Sequence, residues 1–100
     1  MGIKYIVKFT DKSRKDYQDL DGSQKKQILK SLQKIEENGM QTGQELQGKL
    51  SDCRKLKHRK LGLRVIFKQS EIGIEIIEIV VVGKREENEV YEEAVKRLNR

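Results

Sequence analysis

The chain has 100 residues, with 22 Lys or Arg against 16 Asp or Glu, and a net charge of +6. This length suits a single domain over residues 1–100 and is too short for two separate cores. The basic balance favours a nucleic-acid ligand, and a lone cysteine excludes an intrachain disulfide framework. No Cys/His set has metal spacing, and no apolar run is long enough for a signal or membrane span. We therefore expect a cytoplasmic protein without metal or cofactor.

The first half of the chain predicts a strand followed by a helical hairpin. Residues 4–9 alternate apolar and basic side chains, as in a strand with one buried face. Thr10 or Asp11 can cap a short helix, and Asp21 with Gln24 resembles the capping box of a second. An apolar stripe and a glycine stop define this second helix: Ile28, Leu29, Leu32, Ile35 and Gly39.

The second half predicts three strands and a helix. Residues 40–52 form a loop, with Leu46 and Leu50 as anchors on the core. Strands follow over 54–59, around 63–67 and within the apolar run 72–82, where residues 70–73 have the pattern of a hairpin turn. A last helix, from Glu86 to about Leu98, has apolar residues at every fourth position. The order βααβββα predicts an α+β domain: an antiparallel sheet with an N-terminal helical hairpin and a C-terminal helix.

The most basic segment falls on the first of these three strands. Between Asp52 and Glu71 there are seven Lys or Arg residues and no acid. On a strand, Lys55, Lys57 and Arg59 project from one face, so like charges lie roughly 7 Å apart and lower the pKa of a neighbouring lysine. Such a lysine is either a general base or part of a solvated basic face.

Four further side chains can join this surface or serve other roles. Arg64 lies one hairpin away, and Lys84 and Arg85 stand where the last strand gives way to the helix. Arg85 precedes three acids, so a local salt bridge competes with a functional role. Tyr91 either packs in the core or presents its ring to a base.

The single histidine and the single cysteine are weaker candidates. His58 should point with Leu56 towards the core, away from the lysines. Cys53 has basic neighbours but no partner that would make a Cys/His pair, so we expect a packing role.

The same residues resemble the RelE toxins of bacterial and archaeal toxin–antitoxin pairs, and the βααβββα order fits that family. The similarity spans nearly the whole chain and is most specific in its second half. Its runs are Asp52-Cys53-Arg54-Lys55-Leu56-Lys57, Gly62-Leu63-Arg64-Val65, Gly83-Lys84-Arg85-Glu86, Glu89-Val90-Tyr91 and Glu93-Ala94-Val95-Lys96-Arg97.

The resemblance implies an endoribonuclease that cuts messenger RNA in the ribosomal A site and is silenced by a RelB-type antitoxin. Lys55 and Lys57 match the family's active-site lysines, Arg64 and Arg85 its arginines, and Tyr91 its tyrosine. The implied reaction is attack of a ribose 2′-hydroxyl on the adjacent phosphate, without metal. A lysine would accept the proton, and the arginines would stabilise the phosphorane.

The remaining basic residues of the surface are expected to bind the RNA backbone: Arg54, Arg59, Lys60 and Lys84. The expected partners are the antitoxin, the ribosome and messenger RNA, with operator DNA reached only through the antitoxin complex and no membrane. Two alternatives stay open: a ParE-like toxin that shares the fold but binds DNA gyrase, and a non-enzymatic nucleic-acid-binding domain.

Overall fold

The computed structural model describes residues 4–84 and 89–100. Within them the chain forms five strands and three α-helices, joined in part by two short 3₁₀ turns, Gly39–Gln41 and Gly48–Leu50. The elements are β1 (Ile6–Phe9), α1 (Asp11–Gln18), α2 (Gly22–Asn38), β2 (Gln44–Glu45), β3 (Cys53–His58), β4 (Leu63–Gln69), β5 (Ile76–Lys84) and α3 (Glu89–Arg97).

The predicted α+β class, helical hairpin and C-terminal helix are confirmed, but the sheet is mixed rather than wholly antiparallel. Its order is β1-β5-β4-β3-β2, and β1 runs parallel to β5. Two helices and three other strands separate β1 from β5 along the chain. Local sequence patterns do not reveal that two strands so far apart in sequence are neighbours in the sheet. The extra strand β2 has only two residues, too few for alternation to reveal it.

Local signals placed the helical hairpin correctly. Asp21 and Gln24 form a reciprocal capping box at the start of α2. Gly39 ends that helix at φ +58°, and a Cβ there would lie 2.5 Å from the Tyr5 ring. Both constraints require glycine. Within the predicted stripe, Leu29 was placed wrongly, since its side chain is 47% exposed.

The sheet separates two apolar clusters. Helices α1 and α2 cover one face, where Phe67, Ile77 and Ile79 are fully buried together with Ile28 and Ile35 of α2. Helix α3 covers part of the other face, packing Val90 and Ala94 on residues that include Leu50, Cys53 and Ile66. Leu50 is thus a core anchor as predicted, with Leu46 packed beside it.

A β-bulge in β5 shapes the face beneath α3. Ile66 pairs with Val81 whereas Phe67 pairs with Ile79, so Val80 is the extra residue. As a result Val80 and Val81 both pack in the cluster beneath α3. The strand itself begins at Ile76 and not at Ile72, because residues 70–75 form the turn and leave Ile72 and Ile74 exposed. None of the described helices is long and apolar enough to cross a bilayer.

Candidate active site

The pairing of β3 with β4 brings three predicted cations together. Lys57 lies directly opposite Arg64, and Lys55 is two residues before Lys57 on the same face. Cys53 and Ile66 share that face and lie beneath α3. The three basic side chains therefore emerge where the helix leaves the sheet uncovered. We call this group, with Tyr91, the cation cluster: Lys55, Lys57, Arg64 and Tyr91.

Tyr91 connects the helix to these cations. Its hydroxyl accepts a hydrogen bond from Lys55 Nζ at 3.1 Å and another from the Arg64 guanidinium. Both cations also lie over its ring, with Lys55 Nζ 5.3 Å and Arg64 Cζ 5.5 Å from the ring centre. The ring is partly buried and packs beside the apolar cluster beneath α3. Tyr91 thus packs beside the apolar cluster while its hydroxyl joins the polar surface; stacking of its ring on a base stays a prediction.

The cluster is electrostatically unusual. Across residues 4–84 and 89–100, none of the ion pairs joins a carboxylate to Lys55, Lys57 or Arg64. The charge of Lys55, with smaller effects of desolvation and Arg64, lowers the pKa of Lys57. Burial opposes ionisation of Tyr91, but the hydrogen bond from Lys55 and the charge of Arg64 outweigh it and lower the pKa of the phenol. Both shifts show that the surface favours an added negative charge.

Arg64 has an incompletely satisfied guanidinium. Its Nε is buried and finds no acceptor among the described residues. Buried donors are rarely left in this state, and a functional acceptor is one explanation for those that are. Across the sheet, Arg64 pairs with Gly83, where a Cβ would lie 3.2 Å from Val90 of α3. A side chain at this position would press on α3 beside the guanidinium.

The other predicted residues are distributed more widely. Arg59 and Lys60 are exposed in the turn after β3, and Lys84 is exposed at the end of β5. Arg54 lies on the opposite face from Lys55, so it does not join the cluster. It instead donates to the carbonyl oxygens of Thr42 and Gly43, both at 2.9 Å. Arg85, predicted as catalytic, lies outside the described residues.

Sequence reasoning missed one contributor to the basic surface. A groove beside the turn after β3 is lined by Lys57, Arg59 and Lys60 and, from α2, by Lys30. The signal was present, because Lys26, Lys30 and Lys34 recur every fourth residue of a helix and so share one side of it. Only the fold shows that this side approaches the turn.

His58 and Cys53 are both outside the cation cluster. His58 points to α2, where its Nε2 contacts the Ser31 hydroxyl, and burial together with the charge of Lys34 lowers its pKa. Cys53 is fully buried, and burial raises the pKa of its thiol to about 11. A thiol in this state is a poor nucleophile, so the predicted packing role of Cys53 is confirmed.

Comparison with known proteins identifies the class to which this fold and surface belong. Residues 7–89 match the family of ParE toxins of type II toxin–antitoxin systems. The mRNA interferase toxin RelE of Escherichia coli is 32% identical over 96% of this chain and 99% of its own length.

Solved structures agree. The isolated Escherichia coli RelE toxin has a TM-score of 0.73 at 31% identity, covering 94% of this chain and 98% of the toxin. The toxin in the intact Escherichia coli RelBE toxin–antitoxin complex has a TM-score of 0.69 at 25% identity, covering 83% and 99%. The chain belongs to the RelE family of the RelE/ParE toxin superfamily.

Proposed function

We propose that the protein is the toxin of a type II toxin–antitoxin pair and cleaves messenger RNA in the ribosomal A site. The observation that carries the proposal is the cation cluster: Lys55 and Arg64 share the Tyr91 hydroxyl, and Lys57 lies directly opposite Arg64 on the same face. No carboxylate is paired with these three cations among the described residues. Such a surface suits the phosphate whose charge grows in the transition state of RNA cleavage. The relative named an mRNA interferase supports the same reaction.

Lys57 is the better candidate for the general base. It is exposed, and Lys55 lowers its pKa towards the range in which a lysine can accept a proton. Lys55 is instead held in a hydrogen bond to Tyr91. In the proposed step Lys57 takes the proton of the ribose 2′-hydroxyl while that oxygen attacks the adjacent phosphorus. The bond to the 5′-oxygen then breaks and that oxygen takes a proton from water, leaving a 2′,3′-cyclic phosphate and a 5′-hydroxyl end.

Arg64 would stabilise the phosphorane. A guanidinium donates through a planar fork that fits phosphate oxygens, and Nε of Arg64 has a donor to spare. Arg85 is proposed for the departing 5′-oxygen on the strength of the family resemblance alone. Because an arginine does not give up its proton near neutral pH, that role would be electrostatic. Tyr91 would hold Lys55 and Arg64 in place and orient a base against its ring.

The surrounding basic residues would bind the RNA backbone outside the scissile step. Arg59 and Lys60 are exposed beside Lys57, and Lys30 extends the same surface onto α2. Lys84 is exposed at the end of β5. Contacts of this kind are independent of base sequence and weaken as salt rises. Arg54 is removed from this set, because its guanidinium is bound to the protein's own loop.

The remaining proposals concern partners and location. One relative's structure is a complex with its antitoxin RelB, and we propose that an acidic, helical RelB-type protein likewise silences this chain in the cytoplasm. Contact with operator DNA would then occur only through that complex. A free toxin of this activity would arrest its own host, so the complex would be its resting state.

The ribosome should be part of the catalyst. The cluster lacks a conventional strong base and acid, and a well-held nucleophile is worth roughly 7 to 11 kcal/mol of barrier. Pairing in the A site would supply that orientation. The test incubates purified protein with one messenger, either free or bound to programmed ribosomes with an empty A site. Cleavage confined to the ribosomal complex and ending in a 2′,3′-cyclic phosphate is expected; comparable single-turnover rates on both substrates would contradict the mechanism.

A matched control tests whether the loss of activity is specific to the cation cluster. Lys8→Gln removes the same charge from an exposed position of β1, far across the sheet, and should retain full activity where Lys57→Gln does not.

The alternative function is a gyrase inhibitor, which is favoured by the match to the ParE toxin family. Inhibition of gyrase supercoiling without any messenger cleavage would support it.

A further inference from the structure

Helix α3 is joined to helix α1 by an ion pair remote from the cation cluster. Arg97 donates to both carboxylate oxygens of Asp16, through Nη1 at 2.6 Å and Nη2 at 3.0 Å. Its Nε donates to Glu93 at 2.8 Å. The side chains of Arg97 and Asp16 are only 13% and 20% exposed. Two elements far apart in the chain, α1 and α3, are thereby joined.

The same pair completes the hydrogen bonding of β5. Strand β1 pairs with β5 only as far as Ile79, and the bulge at Val80 follows immediately. Beyond that point Asp16 accepts a hydrogen bond from the backbone N–H of Val82 at 3.1 Å, and Arg97 Nη1 donates to the carbonyl of Val80 at 2.9 Å. The two side chains take the place of the missing strand, because the buried backbone groups of the bulge need partners. The ion pair therefore fixes α3 to a defined point of the sheet.

This contact bears on the cation cluster because Tyr91 is on the same helix. Tyr91 and Arg97 are six residues apart, or about 9 Å along the axis. At the Tyr91 end, the helix meets like charges that repel one another and are joined mainly through one phenol. Val90 and Ala94 pack the apolar side of the helix on the sheet, and the Arg97–Asp16 pair adds a directional contact near the C-terminal end of the helix.

We propose that Asp16 and Arg97 are positioning residues for the cation cluster: by anchoring α3 at the bulge of β5, they set the place of the Tyr91 hydroxyl between Lys55 and Arg64. Neither residue touches the reacting atoms. The role rests on the proposed function only for its effect on cleavage, since the placement of Tyr91 is a property of the protein alone.

The test uses Asp16→Asn and Arg97→Gln in the full chain, with two readouts. The first is the titration of Tyr91, followed by ¹³Cζ-tyrosine NMR and assigned among the three tyrosines with Tyr91→Phe. The second is the single-turnover rate on programmed ribosomes. Misplacement of a catalytic group by about 1 Å costs on the order of 10²-fold in rate. Both variants should show a loss of about that size at saturation, with less than about a twofold change in the half-saturating ribosome concentration.

Further variants separate positioning from stability. Lys96→Gln removes a neighbouring positive charge from the exposed side of α3 and should change neither readout. Asp16→Glu keeps the carboxylate and should restore most of the rate. In Asp16→Asn and Arg97→Gln the pKa of Tyr91, lowered in the native cluster, should rise towards its ordinary value.

The NMR arm keeps the two proposals distinguishable. If the native protein cleaves no messenger, the proposed function fails while the Tyr91 titration still tests the anchoring. If the Tyr91 titration is unchanged in both variants, and cleavage falls only in proportion to the folded fraction measured by circular dichroism, the positioning role is overturned.

Discussion

Basic side chains lie at both ends of helix α3, but their partners differ: a phenol at the first end and carboxylates at the second. Near its start, Lys55 and Arg64 share the hydroxyl of Tyr91. Near its end, Arg97 is bound by Asp16 and Glu93, and Arg100 beyond it by Asp52. The paired cations have their charge satisfied within the fold. The cation cluster has no carboxylate partner among the described residues, so its positive potential is available to a ligand.

The sharpest test of this contrast is Arg64→Ala. Loss of charge stabilisation should lower messenger cleavage by on the order of 10² to 10³, as for removal of one oxyanion donor. The fold should persist, because the substitution breaks no ion pair with a carboxylate and the Tyr91 hydroxyl keeps its hydrogen bond from Lys55. Single-turnover cleavage and thermal melting measure the two effects. A variant that is fully active at equal concentration would remove Arg64 from the active site.

Arg97→Ala, in contrast to Arg64→Ala, should lower the stability of the fold. It leaves two acidic side chains and the Val80 carbonyl without their donor, and the site is mostly shielded from solvent. Allowing for this partial exposure, we expect a loss of about 2 to 4 kcal/mol in the free energy of unfolding. Urea denaturation measures this loss, with Lys57→Ala in β3 as the comparison from the cation cluster. Equal stability of the two variants would erase the distinction between paired and cluster cations.

The dependence of cleavage on pH should report the repulsion within the cluster. A lysine base works only when unprotonated, so the rate should rise with pH up to the pKa of Lys57. Because Lys55 is the main cause of the lowered pKa of Lys57, Lys55→Met should move the rising limb to higher pH. In Lys57→Arg the limb should disappear. A limb that stays at the same pH in Lys55→Met would assign it to another group.

The smallest effect belongs to the exposed pair at the end of the helix. A hydrogen bond from Arg100 lowers the pKa of Asp52 to about 2, from an ordinary value of 3.8. Its contribution is therefore complete above the ordinary value and lost as pH falls from about 4 towards 2. The Asp52 side chain is 49% exposed, so the contribution should be below about 1 kcal/mol. Asp52→Asn should make the melting temperature depend less on pH over this range. An unchanged dependence on pH would contradict the assignment.

Sequence patterns predicted most of what depends on local periodicity. Alternation placed the strand of Lys55 and Lys57, and the capping box of Asp21 and Gln24 placed α2. Long-range geometry was beyond them. Asp16 and Arg97 are 81 residues apart, and neither has a local pattern that singles it out. The short β2, the β5 bulge and the position of Lys30 beside the β3–β4 turn likewise depend on tertiary pairing.

The parallel pairing of β1 with β5 has a consequence for the order of events during synthesis. Ile6 has its strand partner at Ile76, so the first strand waits for most of the chain before it can enter the sheet. Tyr91 and Arg97 are made later still. Contacts this distant in sequence close late and slow folding. Lys55 and Lys57 are therefore synthesised well before the helix that carries Tyr91, so the cation cluster is complete only when nearly the whole chain has been made.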